Sequence, residues 1–144
     1  MGTALAARIN DITRLTAEAA AATGLSELGS LRFAKPIHDV HTLATRVIAR
    51  FMVTGQGTST RERSFIAGFG VLAAIYRLPV ATLAASFLLW RDVSLRVLNE
   101  EVNRLGTARV VSEEARRLIR SIADTGMVGM ALAYDDQVLA KQRE

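Results

Sequence analysis

Leu78 to Leu105 reads LPVATLAASFLLWRDVSLRVLNEEVNRL, and this stretch decides the fold. Pro79 suits a first helical turn, since it has no N–H to lose and its φ is already helical. Beyond it Leu83, Phe87 and Trp90 recur on one side. Leu88, Leu95, Leu98, Val102 and Leu105 recur on another, at spacings of three, four and seven. A helix of about 27 residues, roughly 40 Å long, therefore carries two apolar faces. One face belongs to the core of its own domain, and the other is expected to meet a second copy of the chain.

The surrounding sequence supplies more helices. Thr3 to Thr23 carries Leu5, Ile9, Ile12 and Leu15 at helical spacing, followed by an alanine run and a Thr23-Gly24 stop. LSELGSLRFAK is mixed, a short helix or loop. Pro36 opens a helix with Ile37, Val40, Leu43, Ala44, Val47, Ile48 and Phe51 on one stripe, closed by Gly55 and Gly57. Ser59-Thr60-Arg61-Glu62 matches a capping box and predicts a helix from about Thr60 to Tyr76. Gly68 and Gly70 within it are expected to admit a neighbouring helix at close range. After Gly106, Ser112 with Glu113 and Glu114 marks a last helix start. Leu118, Ile122, Leu132 and Leu139 follow near heptad spacing, with Thr125, Gly126, Gly129 and Ala133 as a small-residue patch. No stop signal precedes the final AKQRE, so this helix is expected to continue into a downstream domain.

Composition agrees with an all-α fold of one domain over residues 1–144, since proline occurs only at Pro36 and Pro79 and aromatic residues make up 6%. Cysteine is absent, which excludes disulfides and thiolate chemistry and fits a cytoplasmic protein. The N-terminus has scattered charges and lacks the pattern of a signal peptide. Phe65 to Trp90 holds one charge in 26 residues. Arg77 and Pro79 divide it into apolar pieces too short to span a bilayer, so two core helices joined at a tight corner are expected.

The formal net charge of +4 is almost wholly arginine. Arg104, Arg109, Arg116, Arg117 and Arg120 form a denser group, but Glu100, Glu101, Glu113 and Glu114 are interleaved with it, as on a solvated face, so no nucleic-acid partner is expected. His38 and His41 stand at i, i+3, a spacing that can hold a metal or haem iron; two ligands do not make a site, and polar residues are ordinary at a helix start. No phosphate loop, GxGxxG or GxSxG is present, and the acid pairs Asp135-Asp136 and Glu100-Glu101 are expected on exposed helix positions, as surface charge rather than a catalytic dyad. No catalytic residue, metal or cofactor is therefore assigned. Phe65, Phe69, Tyr76, Phe87 and Trp90 are candidates for an apolar pocket, against the alternative of plain core. Arg91, between Leu88 and Leu95, either pairs with an acid across a dimer seam or reaches to solvent.

From about Arg63 to Asp136 the chain resembles the N-terminal sensor domains of the RsbT co-antagonist family, which are globin-like without haem and precede STAS, PucR-type or GGDEF outputs. The residues that carry the resemblance are Gly70 with Ala73 and Ala74, the LPVATL corner at Leu78 to Leu83, LLWRDV at Leu88 to Val93, the acidic EEVNRL, and Ala133-Tyr134-Asp135. The resemblance implies a globin-like helical bundle with two long C-terminal helices, acting as a non-catalytic bacterial sensor that dimerises and relays a signal to a downstream output. Both histidines come early, unlike the late proximal histidine of a haem globin. The expected dimer interface is Leu88, Arg91, Leu95, Leu98, Val102, Leu105, Leu118, Ile122, Gly126 and Gly129. The ligand-binding and dimerisation half of a helical transcriptional regulator is the alternative, and a small haem or metal protein a third.

Overall fold

In the computed structural model, which describes residues 1–30 and 32–143, the chain is all-α. The helices are α1 (Gly2–Ala7), α2 (Ile9–Ala22), α3 (Ala34–Thr54), α4 (Thr60–Ile75), α5 (Val80–Leu105) and α6 (Arg109–Gln142), with a 3₁₀ turn at Ser26–Gly29. No described helix is long and apolar enough to cross a membrane.

The single first helix expected over Thr3 to Thr23 is broken in two at Arg8, whose backbone leaves the helical region at φ −103° and ψ 10°. The Arg8 guanidinium explains the break. It donates to Asp11 (2.7 Å), Glu101 (3.1 Å) and Glu100 (3.0 Å), anchoring the kink to α5. At the start of α1, a Cβ on Gly2 would lie 2.6 Å from the Ala49 carbonyl oxygen, so α1 and α3 meet almost backbone to backbone.

Helix α3 begins at Ala34, two residues before Pro36, which still falls in the first turn where the missing N–H has no helical partner. Gly55 closes it at φ 73°, a left-handed conformation that glycine adopts without a Cβ clash. The capping box at α4 is present in both halves: the Glu62 N–H donates to Ser59 Oγ (3.1 Å) and the Ser59 N–H to Glu62 Oε1 (2.9 Å). Arg50 of α3 donates to both oxygens of the same carboxylate, at 2.8 and 2.7 Å. The Arg50 guanidinium and the cap bonds hold the Glu62 carboxyl down at about 2.

The corner before α5 turns through Arg77 at φ 59°, with the Leu78 N–H donating to the Ala73 carbonyl (2.8 Å). Pro79 stands just outside α5 as its N-cap, rather than in its first turn. Helix α6 starts at Arg109, three residues earlier than Ser112 marks; Ser112 is buried, and its hydroxyl donates to the Arg109 carbonyl (2.9 Å). A side chain drawn into the core in this way is not available as a cap.

Both apolar faces of α5 are used inside the chain. It packs against α6 and α2, with smaller contacts to α1, α3 and α4. Leu83, Phe87, Trp90, Val97 and Leu98 are completely or almost completely buried. Helix α6 lies closest to α4, with Gly70 at the crossing: a Cβ there would come within 2.2 Å of the Met130 carbonyl oxygen. Gly68, expected to serve the same purpose, is exposed and has nothing near the place of a Cβ.

Candidate functional site

The five aromatic residues proposed to line one pocket do not come together. Phe65 is 51% exposed on α4. Phe69 and Tyr76 meet Phe33 edge-on, each with ring centroids 6.2 Å apart, and the Arg32 guanidinium lies 4.5 Å over the Tyr76 ring. Phe87 and Trp90 are wholly buried in a second group with His41. The Trp90 indole N–H donates to Thr45 Oγ1 (3.0 Å), and that hydroxyl donates to the His41 carbonyl (2.9 Å).

A cavity of about 630 Å³ lies elsewhere, between α2, the 3₁₀ turn, α3 and α5. Its origin is legible in the composition of its walls. The alanine run of α2 supplies Ala17, Ala20 and Ala21, side chains too short to reach across to Ile37 of α3 and Leu89 of α5. Leu25 and Leu28 of the connecting segment close one side. Alanine favours the helix and leaves the space.

Three hydroxyls in the wall are already committed to their own helices. Thr13 donates to the Ile9 carbonyl (2.9 Å), Thr16 to Ile12 (2.7 Å) and Ser86 to Leu83 (2.7 Å). His41 differs. It is 4% exposed, lines the cavity, and its Nε2 has no hydrogen-bond partner. Its ring meets Phe87 edge-on at 5.7 Å. Burial, reinforced by the neighbouring His38, pushes the imidazole down to about 3, so it is neutral at physiological pH. His38 also lines the cavity but is exposed. Among the described residues no three His, Cys, Asp or Glu side chains gather into a metal site.

The expected dimer residues divide. Leu98 and Gly126 are buried in the chain's own core and are closed to a partner. Gly126 is covered by Phe87, whose Cε1 would be 2.8 Å from a Cβ placed there. On α5, Leu95 and Val102 are partly buried against the core, while Leu88 and Leu105 are exposed ten or more residues apart along the helix. Arg91 pairs with its neighbour Asp92 (3.0 Å) within the chain. The outward stripe read on α5 is therefore not a continuous surface: the chain's own core, in which α5 packs mainly against α6 and α2, encloses part of it.

On α6 the picture is different. Leu118, Ile122 and Gly129 are half-buried on one flank, beside a shallow groove shared with Ala67 and Ser64 of α4. Nothing lies within 4 Å of the place of a Gly129 Cβ, while the adjacent Val128 and Leu132 stand 59% and 61% exposed. The arginines at the start of α6 face acids: Arg109 and Arg116 pair with Glu113, Arg117 with Glu114, and Arg104 of α5 with Glu101. No protein-family model, curated protein or solved structure matches the chain.

Proposed function

We propose that this chain is a non-catalytic regulatory module of a cytoplasmic bacterial signalling protein. It dimerises through α6 and passes changes in helix packing along that helix to an output domain downstream. Likeness to the RsbT co-antagonist sensor domains, and a globin-like arrangement of the helices, belong to this proposal.

The observation that carries the reading is the groove at Gly129 beside the ridge of Val128 and Leu132. A two-fold axis makes an interface self-complementary, so the ridge of one copy enters the groove of the other. Small residues in the groove let the two α6 helices approach closely. Leu118 and Ile122 extend the same apolar flank towards the start of α6. The relay would run through the Phe87–Gly126 contact, which leaves no slack between α5 and α6. A packing change at α5 is then transmitted to α6, as in other switches made of discrete helix packings.

The test is light scattering coupled to size exclusion. Wild-type protein should elute at twice the chain mass, and Ile122→Glu with Gly129→Glu should give a folded monomer. An unchanged mass for that double variant would place any interface elsewhere.

A further inference from the structure

We propose that the cavity between α2, α3 and α5 is a binding site for an uncharged, largely apolar small molecule carrying one hydroxyl group, which bonds to the His41 imidazole.

The volume, about 630 Å³, lies within the range of sites that enclose a small molecule and far exceeds the space of a single water. Most of the surface the wall presents is apolar, so its occupant is mainly apolar. A filled cavity regains the dispersion contacts that the alanine face of α2 forgoes.

Polarity narrows the class further. Thr13, Thr16 and Ser86 give their hydroxyl hydrogens to their own helices and keep only acceptor capacity, whereas His41 is the buried wall side chain with a ring nitrogen, Nε2, that has no partner. A neutral imidazole has one donor and one acceptor nitrogen. A hydroxyl can accept from the first or donate to the second, so it suits either tautomer. No carboxylate lines the cavity, which leaves an ammonium ligand without a counter-charge. Arg14, the cation at the rim, is already paired with Glu18 (3.0 Å) and Asp11 (3.7 Å), which leaves an anionic ligand poorly matched as well.

The site stands independently of dimerisation, yet it touches the same machinery. His41 contacts Phe87, and Phe87 covers Gly126 of α6. A ligand held against His41 is thus two side-chain contacts from the helix assigned to the relay.

Equilibrium dialysis with 2-naphthol, naphthalene and 2-naphthoate as probes tests the assignment. Wild-type protein should bind one 2-naphthol per chain, with 2-naphthoate weaker. A single net hydrogen bond is a factor of roughly 2 to 10 in affinity. In His41→Leu the ratio of naphthol to naphthalene affinity should fall by about that factor, while naphthalene binding persists. Ala17→Trp, which fills the mouth from an exposed position of α2, should abolish binding of both without touching His41. Absence of 2-naphthol binding to the wild type would overturn the proposal. So would an unchanged ratio in His41→Leu, or full binding by Ala17→Trp; the latter holds even if His41→Leu fails to fold.

Discussion

Mild acid should destabilise this protein through one residue, His41. In the folded chain its imidazole is held down at about 3 by burial and by His38, while in the unfolded chain it returns to about 6.5. The native state therefore keeps His41 neutral, and the unfolded state takes up a proton first as pH falls. Stability associated with this group is fully present above about pH 6.5 and is lost progressively below it, until the native imidazole itself titrates near 3. Each pH unit in that window is worth about 1.4 kcal/mol, so the loss reaches about 2 kcal/mol by pH 5. Carboxylates do not confuse this range, because Glu62, Asp11 and Glu101 are all depressed in the native state and act below the ordinary carboxylate value. Urea unfolding followed by helical circular dichroism at pH 7, 6 and 5 measures the slope directly. His41→Leu should flatten it, whereas His38→Gln, on an exposed neighbour, should leave it in place. Refutation would be a His41→Leu protein that loses as much stability between pH 7 and 5 as the wild type.

Other outcomes follow from single contacts. Gly70→Ala must push the Met130 backbone away from α4 and should cost about 2–3 kcal/mol in urea unfolding, whereas Gly68→Ala should be neutral or slightly stabilising. Glu62→Gln removes the charge from the bidentate Arg50 pair, while its amide oxygen can still accept the Ser59 N–H of the capping box. Since both side chains are partly exposed, about 1 kcal/mol is expected at pH 7. The gap to wild type should close as pH falls from about 4.5 towards 2, where the wild-type carboxyl protonates. Leu98→Glu buries an unpaired charge at a fully enclosed position and should abolish the cooperative thermal transition, not merely dissociate a dimer.

The sequence made the helices legible where caps and periodicity were local. Ser59 and Glu62 announce α4, Gly55 and Gly106 announce the ends of α3 and α5, and all three operate as their chemistry predicts. Boundaries failed where tertiary contacts decided them. Arg8 breaks the first helix to reach Glu100 and Glu101, more than ninety residues away, and Ser112 is drawn inward from a position where it looks like a cap. Leu98 falls under the same rule: a second apolar stripe on α5 shows that something covers it, and periodicity does not distinguish a partner subunit from the chain's own helices. The cavity is not legible in the sequence, because its signal is an alanine run on α2, which as sequence is simply good helix. The i, i+3 spacing of His38 and His41 does not separate a buried ring from an exposed one.

Because the chain has no cysteine, one introduced thiol carries a spin label at a single known place. A label at Thr125→Cys, exposed beside the Gly129 groove, most directly tests whether two α6 flanks meet, with Ala22→Cys at the far end of α2 as the comparison. Pulsed dipolar spectroscopy should give a strong inter-label coupling at Thr125→Cys, with a distance clearly shorter than at Ala22→Cys. No coupling at Thr125→Cys, or the shorter distance at Ala22→Cys, would contradict dimerisation through α6.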